Sequence, residues 1–208
     1  MKQSWAKWSM LAGVVLLLAG GYMVLRAVEK GPMPAGELKT VTEFRDDKPL
    51  PEFHLSGPKG AFSNPDLFGK WSFVFFGYTQ CPDICPTALG LMKELQVTLG
   101  AVPPAPTFQV VFISIDPARD THSLLGNYLA AFDSAFIGIT GNDQQLTPLT
   151  KDLGVFFQRN NAMDKTNYTV DHSVAIYLID PKGRLAALFS PPQVAAKMAA
   201  DFRRITAR

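Results

Sequence analysis

Residues 71–89 read WSFVFFGYTQCPDICPTAL, and this stretch decides the fold. The run WSFVFFG (71–77) is apolar enough to read as a buried strand, and Pro86 to Leu99 reads as a helix. At the junction stand Cys81 and Cys85, the only two cysteines of the 208-residue chain, in a C-x-x-x-C spacing. Two thiols placed one helical turn apart work as a pair. At a strand-to-helix junction they can do redox chemistry, hold a soft metal, or do both.

Backbone electrostatics favour a thiolate at such a place. The unpaired N–H groups of a helix start carry partial positive charge. A free thiol with pKa about 8.5 is only slightly ionised at neutral pH, and lowering it to about 6.5 makes the thiolate the majority form. Pro82 and Pro86 suit a first turn, which leaves N–H groups unpaired in any case. Asp83, between the cysteines, would oppose ionisation if its carboxylate lay close to them. A purely structural disulfide is the bland alternative. Closing so short a loop removes only about 2 kcal/mol of unfolded-state entropy before strain, little for a chain able to build an ordinary core.

The amino terminus points to a membrane. After a short basic tail (residues 1–8, with Lys2 and Lys7), residues 9–25 carry no charge, and Trp5 and Trp8 flank them. At 1.5 Å per residue, about 17 to 20 residues cover most of a roughly 30 Å hydrocarbon layer, and tryptophans suit its interface. A cleaved secretory signal competes with this reading, but no A-x-A site follows and LLAGG lacks a lipoprotein cysteine. The expectation is an uncleaved signal-anchor spanning a bacterial inner membrane once, with the remainder in the periplasm. There a dithiol is oxidised unless a reductant or a metal protects it.

Residues 26–49, rich in proline, glycine and charge, read as a linker, and 50–208 as one α/β domain. PEFHL and AFS around SGPKG predict a hairpin. FQVVFISID, FIGIT, VAIYLID and LAALF predict further strands, the last two closing on the DPKGR turn. Helical stretches at 86–99, 124–132, 143–153 and 194–203 alternate with them. A net charge of +2 with no basic patch gives no support to nucleic-acid binding, and nothing in the composition calls for more than a monomer or a weak oligomer.

The third chemical candidate is His172, in TVDHSVAIYLID, just ahead of an apolar strand. A histidine in that place reads equally as a satisfied surface or capping residue. Of the other two histidines, His54 falls in the early hairpin and His122 in a turn before a helix; both read as structural or solvated.

Three motifs in this order, GYTQCPDICPTAL, VFISIDPARDT and YTVDHSVAIYLIDPKGR, resemble the Sco/SenC copper-chaperone family over residues 50–189. The resemblance implies a thioredoxin-like fold with an added amino-terminal β-hairpin. It implies Cys81, Cys85 and His172 as copper ligands, and as partner the copper-receiving subunit of cytochrome c oxidase. Two thiolates with one imidazole suit soft Cu(I), and Cu(II) can use the same set with a further oxygen ligand. Asp171 and Ser173 are candidates for orienting the ring, with turn chemistry as their alternative role. In DPARDT, Arg119 paired with an acid would fix a loop over the site, while a solvated turn with a helix cap at Thr121 explains the same residues. Tyr78 and Thr79 line the cysteine loop, and Gln80 stands where the family often has histidine. The rival class is a thiol–disulfide oxidoreductase using a redox-active Cys81–Cys85 pair to reduce a copper-receiving partner; a copper or redox sensor is a third. Three residues between the cysteines and a DHS segment where reductases carry a proline weigh against a general reductase.

Overall fold

The computed structural model describes residue 22 and residues 40–45, 48–101, 106–160 and 168–207. In chain order the elements are β1 (Val41–Glu43), β2 (His54–Gly57), β3 (Gly60–Ser63), β4 (Trp71–Gly77), α1 (Ile84–Gly100), β5 (Phe108–Ser114) and α2 (His122–Ala130). There follow β6 (Ile137–Ile139), α3 (Asp143–Asp152), β7 (Phe157–Arg159), β8 (Val170–His172), β9 (Ile176–Ile179), β10 (Leu185–Phe189) and α4 (Ala195–Thr206). Apart from Tyr22, the segment 9–25 read as a membrane span lies outside the described residues. Among those, no helix is long and apolar enough to cross a membrane.

The main sheet has the order β1-β10-β9-β4-β5-β6. Strands β4, β5 and β6 are parallel, β9 and β10 form an antiparallel hairpin against β4, and β1 closes the other edge. The WSFVFFG run is therefore central, with six of its seven residues buried, as a strand covered on both faces must be. Two successive right-handed crossovers, β4-α1-β5 and β5-α2-β6, put their helices on the same face. There Phe73 meets Phe202 of α4 (ring centroids 5.1 Å apart), and Phe112 meets Tyr128 of α2 (6.1 Å). On the other face Val74, Val111 and Ile113 share an apolar space with Phe53, Phe62 and Leu149. This is the α/β arrangement expected, with the β2–β3 hairpin added and tied to the end of β6 by reciprocal Ser56–Thr140 backbone bonds of 2.9 and 2.8 Å.

The structure departs from the sequence reading in three places. Val41–Glu43, inside the stretch read as linker, pairs with β10, and the folded unit begins at Thr40 rather than 50. The helix after the cysteine loop starts at Ile84, which puts Cys85 in its first turn. A second small hairpin, β7–β8, stands apart from the main sheet and carries His172 as its last residue. As expected, Thr121 caps α2, its hydroxyl accepting from Leu124 N–H at 3.3 Å.

Candidate metal centre

Strand β4 ends at Gly77, and the turn from Tyr78 to Asp83 delivers the chain into α1. The Cys85 amide, one of the first-turn donors left without a helical partner, points at the Cys81 sulfur (3.4 Å). Cys85 is fully buried and Cys81 half-buried, and their sulfurs are not bridged. At Cys85 burial, not the helix start, governs ionisation. Desolvation pushes its thiol well above the ordinary range, the neighbouring Cys81 sulfur adds to the rise, and a backbone hydrogen bond at Tyr78 only partly opposes it. Cys85 is thus a thiol until something with positive charge displaces its proton.

His172 reaches the same point from β8. Its Nε2 lies 3.5 Å from the Cys85 sulfur, and its Nδ1 lies 2.9 Å from the carbonyl oxygen of Ser173. A carbonyl only accepts, so Nδ1 carries the proton and the Nε2 lone pair faces the sulfurs, the tautomer a metal needs. Burial holds the ring's pKa below its usual value, against the Ser173 carbonyl and the charge of Asp171, and favours the neutral form. Phe75 and Tyr78 flank the imidazole edge-on, each 5.9 Å away between ring centroids. The ligand atoms of Cys81, Cys85 and His172 all lie within 4.8 Å of one another, the one such group of three among the described residues. Two sulfurs and one nitrogen at this spacing would suit a single soft ion.

Buried polar contacts hold the cysteine loop. Thr79 donates its N–H and its hydroxyl to Asp120 (2.9 and 2.6 Å), and Ser114 donates to the same carboxylate (2.6 Å). Asp120 is only 1% exposed, and burial raises its pKa despite these three donors. Arg119 pairs with the fully buried Asp116 (2.5 Å), so the arginine–acid pairing considered from the sequence is present. Gln80 reaches that arginine rather than the cysteines, its Oε1 accepting from the guanidinium at 3.1 Å.

Asp171 is exposed and lies across from Gln158 in the β7–β8 ladder; the ring is held by the backbone carbonyl of Ser173 instead. The Ser173 hydroxyl accepts from Phe156 N–H at 2.9 Å and fastens the base of the hairpin. His54 and His122 take other partners, Glu52 and the Ser56 hydroxyl, each at 3.1 Å. The sequence reading missed Tyr168, whose hydroxyl donates to Asp116. Its signal was present only as the first letter of YTVDHS.

A thioredoxin-like sheet with two thiols after its central strand and an imidazole folded over them defines a soft-metal-binding protein of the thioredoxin class. The SCO1/SenC family model matches residues 43–207. The SCO2-like protein of Rickettsia felis is 44% identical over 137 residues, 64% of this chain and 65% of that protein. The human mitochondrial SCO2 homologue is 33% identical over 154 residues, 74% of this chain and 58% of its own length. The chain thus spans less than two thirds of either relative. Among solved structures, copper-bound ScoI of Bradyrhizobium japonicum is 33% identical with a TM-score of 0.66, covering 76% of this chain and 99% of that one. Copper-bound yeast Sco1 is 31% identical with a TM-score of 0.71, covering 77% and 90%. The chain belongs to the SCO1/SenC family.

Proposed function

We propose that this protein is a membrane-anchored copper metallochaperone. It holds one copper ion through Cys81, Cys85 and His172 and passes it to the copper-receiving subunit of cytochrome c oxidase, for the binuclear copper centre. The observation that carries the reading is the convergence of three soft-metal ligand atoms within 4.8 Å, from two separate parts of the chain. Copper in the structures of similar family members supports the choice of metal. The uncharged segment 9–25 supports an anchor in a bacterial inner membrane with the folded unit in the periplasm.

The site suits a carrier. Both thiolates come from one loop and helix start, while the imidazole stands on a small hairpin outside the main sheet. Movement of that hairpin removes one ligand and leaves a two-sulfur ion open to a receiving cluster. The test is a copper titration of the reduced protein. One copper per chain, with loss of binding in Cys81→Ser and Cys85→Ser, supports the reading; copper bound equally without the cysteines refutes it.

The contrast between half-buried Cys81 and fully buried Cys85 favours a second activity on the same pair. Cys81 thiolate attacks a disulfide of the receiving partner, and Cys85 resolves the mixed disulfide. The partner is left as a dithiol, and this protein as the Cys81–Cys85 disulfide. Retention of disulfide-reducing activity in His172→Ala, together with full Cu(II) affinity, would make this the principal function.

A further inference from the structure

The β7–β8 hairpin that presents His172 shares no ladder with the six-stranded sheet, so side chains set its distance from the cysteines. Arg119 touches both arms of the site. Its side chain is 8% exposed, and its Nε donates to the buried Asp116 at 2.5 Å. One terminal nitrogen, Nη1, donates both to the Tyr168 carbonyl (2.8 Å) and to Gln80 Oε1 (3.1 Å). The guanidinium also lies 3.6 Å from the centre of the Tyr168 ring. Gln80 precedes Cys81, and Tyr168 leads into β8 four residues before His172. One cation therefore bridges the flank of the first sulfur ligand and the flank of the nitrogen ligand.

The two arms depend on this bridge unequally. The cysteine loop has anchors that Arg119 does not supply: the Thr79–Asp120 pair and the position of Cys85 within α1. The hairpin shares no ladder with the sheet, and its remaining ties are side-chain contacts, among them the bond from the Tyr168 hydroxyl to Asp116. Arg159 donates to the Ile115 carbonyl (3.0 Å) and pairs with Asp143 (2.8 Å), and the Tyr78 hydroxyl accepts from Val170 N–H at 3.3 Å. Loosening Arg119 thus acts first on the imidazole. Cu(I) is satisfied by two thiolates, whereas Cu(II) is harder and draws more on a nitrogen donor.

Building on the copper reading above, we propose that Arg119 is a positioning residue that latches the histidine hairpin to the cysteine loop and so sets the site's preference for Cu(II) over Cu(I). Paired with Asp116→Asn, Arg119→Met removes both buried charges together and leaves no carboxylate stranded without its cation. Arg119→Lys keeps the charge but loses the planar fork and the stacking on Tyr168.

The test uses the full-length protein, with folding checked by circular dichroism. Cu(II) and Cu(I) affinities are read by chelator competition, nitrogen coupling by electron paramagnetic resonance, and hairpin mobility in the copper-free protein by amide exchange at Val170 and Ser173. In the double variant, Cu(II) affinity is expected to fall about 10- to 100-fold, the usual scale for losing a ligand's support. Nitrogen coupling weakens, exchange at the hairpin accelerates, and Cu(I) affinity is unchanged; Arg119→Lys falls between. A folded double variant with wild-type Cu(II) affinity and coupling overturns the proposal, as does an equal loss of both oxidation states. Should the double variant not fold, Arg119→Lys decides on the same readouts. Wild-type protein that binds no copper removes the copper reading and this inference together, whereas normal wild-type binding with unaltered variants removes the inference alone.

Discussion

Gly77 makes room for the Cys85 sulfur: a Cβ at residue 77 would stand 2.6 Å from Cys85 Sγ and 2.9 Å from the Phe112 ring. The last residue of the central strand thus lacks a side chain because a ligand atom occupies that space. Gly77→Ala must push the sulfur or the ring aside, at a cost of about 1–3 kcal/mol for an overpacked core. Urea unfolding should show that loss, and copper affinity should fall with it. A variant that kept both stability and affinity would show that the sulfur is not held where the packing puts it.

Ionisation gives the copper-free protein two opposed pH responses. His172 is held below its ordinary pKa of about 6.5, so its contribution is present above that pH and lost as pH falls through the depressed value. Asp120 is raised, so its contribution is present below the ordinary carboxylate range and lost as pH rises through the folded-state value. Unfolding of the wild type and His172→Ala, compared between about pH 7.5 and pH 5, should show a smaller acid loss in the variant. Equal slopes would mean that the ring is not desolvated.

Copper loading should release protons. The Cys85 thiol is raised by burial, and binding requires its thiolate. Apparent copper affinity should therefore rise with pH across the neutral range, with proton release measurable by calorimetry in buffers of different ionisation enthalpy. A pH-independent affinity would mean that Cys85 is not a ligand.

Oxidation should abolish binding. Forming the Cys81–Cys85 disulfide consumes both sulfur ligands and leaves a lone imidazole. Complete oxidation, checked by the absence of alkylatable thiol, should leave no tight copper. Undiminished binding would place the copper elsewhere.

The edge strand β1 should contribute to stability. Its backbone is tied by Phe44 N–H to the Ala186 carbonyl (2.8 Å) and Ser190 N–H to the Thr40 carbonyl (2.7 Å), and Glu43 pairs with Arg204 of α4. A fragment beginning at Thr40 should be more stable than one beginning at Leu50 by on the order of 1–3 kcal/mol, from a few net hydrogen bonds. Equal denaturant midpoints would contradict this.

How far the sequence carried depended on the length of the pattern. WSFVFFG, FQVVFISID and VAIYLID announced the sheet because buried strands are long apolar runs. VTE, FQR and VDH are three residues each and carry no such run, so β1 and the β7–β8 hairpin were invisible; β1 moreover pairs with β10, far along the chain. The cysteine pair was legible from its own spacing. His172 was legible through the family resemblance alone, since nothing local tells a ligand from a capping residue. The expected effect of the helix start on the thiols was physically sound, but at Cys85 desolvation outweighs it, and burial is a tertiary property. The Asp116–Arg119–Tyr168 cluster joins residues up to 52 apart, and no local pattern announces such a contact.

The proposed copper centre places one ion between two sulfurs and one imidazole. X-ray absorption at the copper edge of the loaded protein, taken for the wild type and for His172→Ala, tests it most directly. The predicted result is two sulfur neighbours and at least one nitrogen in the wild type, with the nitrogen lost and both sulfurs kept in the variant. A wild-type spectrum with fewer than two sulfurs, or one that His172→Ala leaves unaltered, would contradict it.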